Sequence, residues 1–255
     1  MSDRRLITPF FLDRPSLPHR GLPGDWLNDV TLHDGPLTRR LSAVHEPLAA
    51  EVARALAGGD RPVSIAGDCC AVIPVIAGLQ RAGLSPRLLW LDAHGDFNTP
   101  ATTPSGFIGG MPLAMLVGRG EQDLLRALSM SPVPERDVLL CDARDLDPGE
   151  REAVEGSEVR HLRSLAAILE EDLEGRPLHV HLDVDVMSVE DAPAVLYPVP
   201  GGPRRSDLVE LGRRLAARTA PVSVSMTTWV FDRDADGRTG EACLAALEGL
   251  LGKER

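Results

Sequence analysis

The strongest constraint on the fold is an alternation, along almost the whole chain, between short apolar segments and longer segments with helical spacing of apolar residues. Residues 88–91, for example, are apolar throughout, as expected for a strand that is covered on both faces. Because strand–helix alternation is typical of parallel sheets, we predict the α/β class. The expected architecture is a single-domain, mostly parallel twisted sheet with helices on both faces, which forms a three-layer sandwich.

The same pattern predicts where the elements lie. The predicted strands cover residues 6–11, 62–66, 87–92, 137–142, 158–162, 178–183 and 221–226. The predicted helices cover residues 46–57, 71–82, 112–117, 122–128, 164–173, 206–217 and 240–251, with Ser164 and Ser206 as N-caps. Stretches rich in proline and glycine at residues 15–24 and 191–203 indicate surface loops rather than linkers, so residues 1–255 are expected to form one domain.

Charge and cysteine usage exclude several classes of partner. The chain has 27 Lys and Arg against 38 Asp and Glu, a formal net charge of −11, whereas nucleic acids and anionic membranes require a basic face. Four cysteines do not form a disulfide framework in a chain of this length. No signal peptide or membrane-length apolar run is visible. We therefore expect a cytoplasmic protein that binds a small molecule, with neither nucleic acid nor membrane as partner.

Polar side chains follow three of the predicted strands, where ligands of open parallel sheets bind. Residues two apart in an extended segment project to the same side, so Asp92, His94 and Asp96 can converge. The same holds for Asp183 and Asp185. Carboxylates packed together at a buried edge repel one another unless a cation neutralises them. One such pair is weak support, because Asp is common in turns, but two clusters together predict a site for divalent ions.

Three longer motifs resemble the arginase/agmatinase/formiminoglutamase ureohydrolases: Asp92-Ala-His-Gly-Asp-Phe-Asn-Thr-Pro, Arg144-Asp-Leu-Asp-Pro-Gly-Glu and His181-Leu-Asp-Val-Asp. The resemblance covers about residues 64–150 and 178–202. It implies an arginase-like fold with two Mn²⁺ at the carboxyl edge of the sheet, and a homo-oligomer is possible because family members are often trimers or hexamers.

The resemblance also implies roles for the clustered residues. Asp92 and Asp183 would bridge both ions, and His94 and Asp185 would bind the second ion. Asp96 would bind the first ion and act in catalysis by accepting a hydrogen bond from a hydroxide that bridges the ions.

The substrate side is implied in the same way. Asn98 and Ser105 stand where the family contacts an amino-acid carboxylate, and Asp147 stands where it contacts the α-amino group. The implied reaction is hydrolysis of a C–N bond in a linear amidine, with release of urea or a relative of urea and an amine.

Cys69 departs from the family, which has a histidine ligand of the first ion at this position. A thiolate can replace the imidazole but is softer, so Zn²⁺ or Fe²⁺ could compete with Mn²⁺ for the first position. Alternatively, Cys69 is a small buried residue that binds no metal. Cysteine here, with the Gly-Asp-Phe-Asn and Phe107-Ile-Gly-Gly segments, resembles a small divergent branch that hydrolyses Nω-hydroxy-L-arginine in D-cycloserine biosynthesis.

Two further departures lie on the substrate side. Gly109 replaces a histidine that carries protons in arginases, and Thr228 is the equivalent, give or take one residue, of a guanidinium-binding glutamate. Removing one partner of a buried ion pair costs several kcal/mol, so an ordinary arginine head group should bind poorly. His181 lies two residues before Asp183 and either orients a metal ligand or is a satisfied core histidine.

Three functional hypotheses remain at this point. The leading hypothesis is metal-dependent hydrolysis of a small guanidino, hydroxyguanidino or ureido amino acid in specialised (secondary) metabolism. The departures at Cys69, Gly109 and Thr228 also suit a catalytically inactive binding or regulatory protein. The third possibility is an enzyme with the same site that acts on a non-guanidino, amide-type substrate.

Overall fold

The structure is a computed structural model that describes residues 1–16 and 21–253, so the loop predicted at residues 15–24 lies partly outside the described residues. The strands are β1 (Asp3–Thr8), β2 (Phe10–Phe11), β3 (Arg14–Pro15), β4 (Trp26–Leu27), β5 (Arg61–Ala66), β6 (Arg87–Asp92), β7 (Val138–Asp142), β8 (Arg160–Leu162), β9 (Leu178–Asp183) and β10 (Ser223–Thr227). The helices are α1 (Leu37–Ala57), α2 (Val72–Arg81), α3 (Pro112–Leu116), α4 (Asp123–Ala127), α5 (Pro148–Glu155), α6 (Leu165–Ile168), α7 (Arg205–Arg218) and α8 (Arg238–Leu250).

Eight strands form one sheet in the order β4-β1-β5-β10-β9-β6-β7-β8, and every pair in it is parallel. Strands β2 and β3 form a separate antiparallel pair. Helices cover both faces of the large sheet, which explains why its central strands are apolar throughout. The predicted α/β fold class, a single domain with a parallel sheet between helical layers, is confirmed.

Two hydrophobic cores lie on opposite faces of the sheet, because successive side chains of a strand point to opposite sides. Leu88 and Trp90 of β6 belong to the core that packs against α1 and α2. Leu89 and Leu91 belong to the core that packs against α7 and α8. By the same alternation, the polar residues at the end of β6 are held at defined sides of the sheet.

The strands that carry the predicted site are found as predicted, with β6 at residues 87–92 and β9 at residues 178–183. The strand predicted at residues 6–11 divides at Pro9 into β1 and β2. Proline has no backbone N–H and cannot continue the ladder there. The short strand β4, which pairs with β1, was not predicted.

The helix predictions are less accurate. Ser164 is an N-cap, as predicted, but α6 ends at Ile168. The prediction that Ser206 is an N-cap is wrong, because α7 begins one residue earlier and the Arg204 N–H donates to Asp207 Oδ2 at 2.9 Å. Helix α1 begins at Leu37, and α5 was not predicted. Among the described residues, the structure has no helix with the length and apolar composition needed to cross a bilayer.

Candidate metal centre

Four neighbouring strands, β5, β10, β9 and β6, bring their carboxyl ends together at one edge of the sheet. The chain passes from β5 to β6 first, and β9 and β10 are inserted between them later. Such a change in strand order opens a crevice at the carboxyl edge, which is where ligands of open α/β sheets bind. The polar residues that follow these strands therefore meet in one place, as the sequence predicts.

The first of two donor clusters contains Cys69, Asp92, His181 and Asp183. Each residue offers one ligand atom, and these atoms lie within 4.8 Å of one another. All four side chains are buried. The Cys69 thiol donates to Asp183 Oδ2 at 2.8 Å and lies 3.1 Å from Thr227 Oγ1. A soft sulfur, an imidazole nitrogen and two carboxylate oxygens thus surround one point.

The second cluster contains Asp92, His94 and Asp185, within the same limit of 4.8 Å. His94 Nδ1 lies 3.0 Å from Asp185 Oδ2 and 3.6 Å from Asp92 Oδ1. Asp92 belongs to both clusters, which agrees with its predicted position between two ions. Asp183 belongs to the first cluster only, and its predicted bridging role stays a prediction.

The same type of turn holds the carboxylates of Asp92 and Asp183, the two residues predicted to bridge the ions. Asp92 Oδ1 accepts from the His94 N–H at 2.7 Å, and Asp183 Oδ1 accepts from the Asp185 N–H at 2.8 Å. A carboxylate that accepts from the amide two residues onward closes a tight turn at the strand end. This turn carries the next ligand of each motif back toward the same crevice.

The clustered acids destabilise one another in their charged forms. Burial, with Asp185 nearby, raises the pKa of Asp92 to about 7. Burial and the neighbouring carboxylates raise the pKa values of Asp96 and Asp183 well above their usual range. Burial, followed by the charge of Asp183, also raises the pKa of the Cys69 thiol. The site therefore has an excess of buried donors that a cation would stabilise.

The two histidines of the clusters differ in charge. Burial opposes the charged form of His94, but hydrogen bonds to Asp185 and Asp92 raise its pKa to about 12. Burial lowers the pKa of His181 well below its usual range, so this ring is neutral. His181 Nδ1 lies 3.0 Å from Ser225 Oγ, and Nε2 has no hydrogen-bond partner among the described residues. The sequence-based alternative of a fully satisfied core histidine does not fit this open nitrogen.

Asp96 lies beside the clusters without belonging to either one. Its backbone has a left-handed φ of 50°, and its side chain is 6% exposed. Among residues 1–16 and 21–253, no hydrogen-bond partner contacts its Oδ2 atom. The predicted roles of Asp96, as a ligand and in catalysis, stay predictions, but a buried free carboxylate oxygen at the crevice suits either of them.

The crevice opens into a pocket of about 230 Å³ that is lined by the predicted substrate residues Asn98, Ser105 and Asp147. Asn98 Nδ2 donates to Asp147 Oδ2 at 2.9 Å, so the two residues form one polar wall. Ser105 lies on an exposed loop, where its Oγ accepts from the Phe107 N–H at 3.2 Å. This volume suits a molecule no larger than an amino acid, since pockets for larger ligands usually exceed about 300 Å³.

An aromatic wall forms the opposite side of the pocket, next to Gly109. A Cβ atom on Gly109 would lie only 2.3 Å from Cε1 of Phe107, so this ring fills the space that a side chain at position 109 would need. Phe107 packs between Phe11 at 6.3 Å and Tyr197 at 5.9 Å, measured between ring centroids. Tyr197 is 55% exposed and lies at the mouth of the pocket. An apolar surface thus occupies the position of the missing histidine.

Thr228 lines the pocket, and its hydroxyl contacts the carboxylates of the site. Its hydroxyl donates to Asp183 Oδ1 and accepts from the Val184 N–H at 3.2 Å. The residue has a left-handed φ of 71°, directly after β10. No carboxylate stands at this position, as the sequence already showed, and the hydroxyl that replaces it holds a candidate metal ligand instead.

Comparison with known proteins places this geometry in a family. The model of the arginase family matches residues 13–247. This chain belongs to the arginase family. It is 32% identical to the arginase of Bacillus subtilis over 228 residues, which cover 83% of this chain and 76% of the relative. It is also 36% identical to the arginase of Brevibacillus brevis over 171 residues, which cover 62% of this chain and 57% of that protein.

Solved arginase structures agree with the fold. The crystal structure of arginase from Bacillus subtilis has a TM-score of 0.87 and 26% identity, and the match covers 100% of this chain and 99% of that chain. Arginase from Bacillus cereus has a TM-score of 0.82 and 27% identity, with coverage of 91% and 84%. The predicted membership of the arginase/agmatinase superfamily is thereby confirmed. The finer resemblance to the branch that hydrolyses hydroxyarginine stays a prediction.

Several residues that position the site in this arginase-family chain were missed from the sequence. Glu150 accepts from the Phe97 N–H at 2.8 Å and, at 3.2 Å, from the Asp147 N–H. It also packs against Gly95, where a Cβ atom would lie 2.7 Å from Glu150 Oε1, so a larger residue there would displace the Glu150 carboxylate. The spacing of Asp147 and Glu150 before a helix is that of a capping box, and this signal could have revealed both α5 and Glu150.

Arg144 is the second positioning residue that was missed. Its guanidinium pairs with Asp142 at 2.6 Å and donates to the carbonyls of Asp185 and Val186 at 3.2 Å. It also reaches the carbonyl of Val199 at 3.1 Å. Arg144 therefore ties the backbone of the second cluster to the loop that carries Tyr197. The motif around Arg144 was recognised in the sequence, but its contacts depend on the tertiary structure.

Proposed function

We propose that this chain is a metal-dependent ureohydrolase that cleaves a C–N bond in a small hydroxyguanidino, guanidino or ureido amino acid. The observation that carries the proposal is the convergence of two donor clusters, joined by Asp92, at the base of a pocket of amino-acid size. Membership of the arginase family and the names of the relatives support hydrolysis of guanidino compounds. The substrate itself is inferred from the departures within the pocket.

The residues present fit a pair of divalent cations. Carboxylate oxygens and imidazole are the donors that such ions prefer, and the raised carboxyl pKa values at this edge show an unmet need for positive charge. When bound, such a pair of cations would lower the pKa of a water and stabilise the charge that develops on the substrate. We propose Mn²⁺ for the second cluster, with Asp92, His94 and Asp185 as ligands.

The chain's own residues then orient the substrate and move protons. The wall of Asn98 and Asp147 would hold the amino-acid end, with Asp147 accepting from the α-amino group and Ser105 donating to the carboxylate. Asp96, with a free carboxylate oxygen, would take a proton from the attacking water and transfer it to the leaving amine. This route requires no histidine at position 109, where Phe107 fills the space.

The substrate class follows from the charge of the pocket. A guanidinium that loses its carboxylate partner in a buried site gives up about 3–5 kcal/mol, and Thr228 offers only a hydroxyl. A hydroxyguanidine is less basic than a guanidine and therefore loses less from this change. The aromatic wall of Phe107 and Tyr197 also suits a less charged group. We therefore propose that Nω-hydroxy-L-arginine or a ureido relative is preferred over L-arginine.

The test uses purified full-length protein loaded with Mn²⁺ and a panel of L-arginine, Nω-hydroxy-L-arginine, agmatine and citrulline. We expect release of urea or hydroxyurea to be about tenfold more efficient from Nω-hydroxy-L-arginine than from L-arginine, which corresponds to about 1.4 kcal/mol. Asp92→Asn should abolish release. If the metal-loaded protein releases no product from any of these compounds, the proposal is wrong and a non-catalytic binding role is favoured.

A further inference from the structure

A chain of four buried side chains runs between β10 and β9 and ends at the first cluster. Ser223 Oγ lies 2.6 Å from His179 Nδ1, and His179 Nε2 lies 3.0 Å from Ser225 Oγ. Ser225 Oγ in turn lies 3.0 Å from His181 Nδ1. Each of these residues is at most 1% exposed. The last atom of the chain, His181 Nε2, has no hydrogen-bond partner among the described residues.

The hydrogens of this chain can be ordered in two ways. In the first, His181 Nδ1–H donates to Ser225, whose hydroxyl donates to His179 Nε2, and His179 Nδ1–H donates to Ser223. In the reverse order, the single hydrogen of His181 sits on Nε2, where no acceptor contacts it within the described part of the chain. A buried N–H without an acceptor costs about 1–3 kcal/mol. The first order is favoured, and it leaves a lone pair on Nε2.

This lone pair faces a group of metal donors. One ring nitrogen of His181 lies with Cys69 Sγ and oxygens of Asp92 and Asp183 within 4.8 Å of one another, and Nε2 is the ring nitrogen that Ser225 does not engage. Trp90 fixes the arrangement from the side, since its ring lies 4.1 Å from the His181 ring and its Nε1–H donates to Asp92 Oδ2 at 2.9 Å. A ring nitrogen without a hydrogen thus meets two carboxylates and a thiol that can be deprotonated, and a cation suits all four as a shared partner.

We infer that His181 Nε2 is a direct ligand of the first ion, which changes the donor set of that position to sulfur, nitrogen and two carboxylate oxygens. The inference rests on the proposed two-metal site and goes beyond the orienting role that the sequence predicts for His181. A thiolate and an imidazole with carboxylates make a four-donor set typical of Zn²⁺ sites, whereas oxygen-rich sets suit Mn²⁺. The first position therefore selects Zn²⁺ over Mn²⁺, and the second keeps its preference for Mn²⁺.

The test counts the ligands of the bound zinc directly. It uses a variant without His94, so that the imidazole of the second cluster does not contribute to the count. His94→Ala is loaded with one equivalent of Zn²⁺ and measured by zinc K-edge X-ray absorption. We expect one sulfur and one imidazole around the zinc, and His94→Ala/His181→Ser should keep the sulfur and lose the imidazole. The Zn²⁺ affinity should also fall by more than about 100-fold, which exceeds the usual effect of a residue that only orients a ligand.

His45→Gln is the matched control. His45 is another buried histidine, 2% exposed on α1, and it belongs to neither donor cluster. Its substitution in the His94→Ala background should leave the imidazole count and the Zn²⁺ affinity unchanged. His181→Gln, which retains most of the side-chain volume, replaces His181→Ser if the smaller residue does not fold.

If the absorption spectrum of zinc-loaded His94→Ala shows no imidazole ligand, the inference is wrong. This measurement does not require a variant of His181. An imidazole signal that persists in His94→Ala/His181→Ser would overturn it as well. Either result could occur in a protein whose parent chain hydrolyses its substrate, so the proposed function would stand. Conversely, a parent chain that shows the expected ligands but no hydrolysis would contradict the proposed function alone.

Discussion

The two halves of the pocket are built differently. The metal half lies at the ends of β6 and β9, where Asp92, Asp183 and Asp185 are buried and fixed by backbone N–H groups. The substrate half consists of loops, on which Ser105 and Tyr197 are exposed. Contacts between side chains hold much of this half, such as that between Asn98 and Asp147. Residues on the loops can change without moving the strand ends, so the donor clusters can persist while the residues of the substrate half differ.

The largest expected effect is in the metal half. Asp183→Asn should lower activity about 1,000-fold, because it removes a charge that the cations require. Metal analysis should show loss of the first ion. Asp147→Asn, in the substrate half, is the control, since Asp147 belongs to neither cluster. Equal metal loss in both variants would show that the two halves are not separable in this way.

Removal of the metal should destabilise the metal half of the pocket more than the substrate half, without any mutation. A cation at 100 times its dissociation constant stabilises the native state by about 2.7 kcal/mol, and a chelator should lower the Tm accordingly. Hydrogen exchange should then increase at residues 92–98 and 183–187 but change little at residues 103–109. A uniform increase along the chain would argue that the loops depend on the cations as much as the strand ends do.

A smaller effect is expected from the polar wall of the substrate half. Asp147→Asn keeps an N-cap residue for α5 but removes the charge that would bind an α-amino group. KM should rise about tenfold, or by about 1.4 kcal/mol, while kcat and metal content stay close to those of the parent chain. Steady-state kinetics with metal analysis test this, and a fall in kcat at unchanged KM would place Asp147 in the chemical step instead.

The smallest effect concerns the aromatic wall. Gly109→Ala should lower kcat/KM about fivefold, because the new Cβ atom displaces the Phe107 ring from the pocket wall, at a cost of about 1 kcal/mol. In a Phe107→Ala background the same change should have no effect, since the ring that it would meet is gone. A double-mutant cycle measures this coupling, and independent effects would contradict the contact.

The sequence predicts the metal half better than the substrate half, for physical reasons. Continuous apolar composition located β6 and β9 correctly. The extended period of two residues does not continue past these strands, because turns closed by Asp92 and Asp183 carry His94 and Asp185 back to the crevice. The place of His181 among the donors of the first cluster was not predictable from the sequence. It depends on the register of β9 with its neighbours, which sets His181 opposite Trp90 and Ser225.

Helix errors have local causes. The predicted helix began at Glu46, whereas α1 begins at Leu37 and passes through Pro47, a residue that is usually confined to the first turn of a helix. Helix α5 has only two buried residues, Glu150 and Val154, so its apolar spacing is weak and its capping box was the better signal.

The strand order has a consequence for the biosynthesis of this protein. While the chain leaves the ribosome, β5 and β6 are complete long before β9 and β10, which must later occupy the space between them. Until that insertion, two apolar strand edges stay open to wrong pairing. Both donor clusters include residues from β6 and from the segment around β9, so neither exists in the nascent amino-terminal half. Cation capture at the proposed site would therefore be a late event, because it requires β9 to lie in place beside β6.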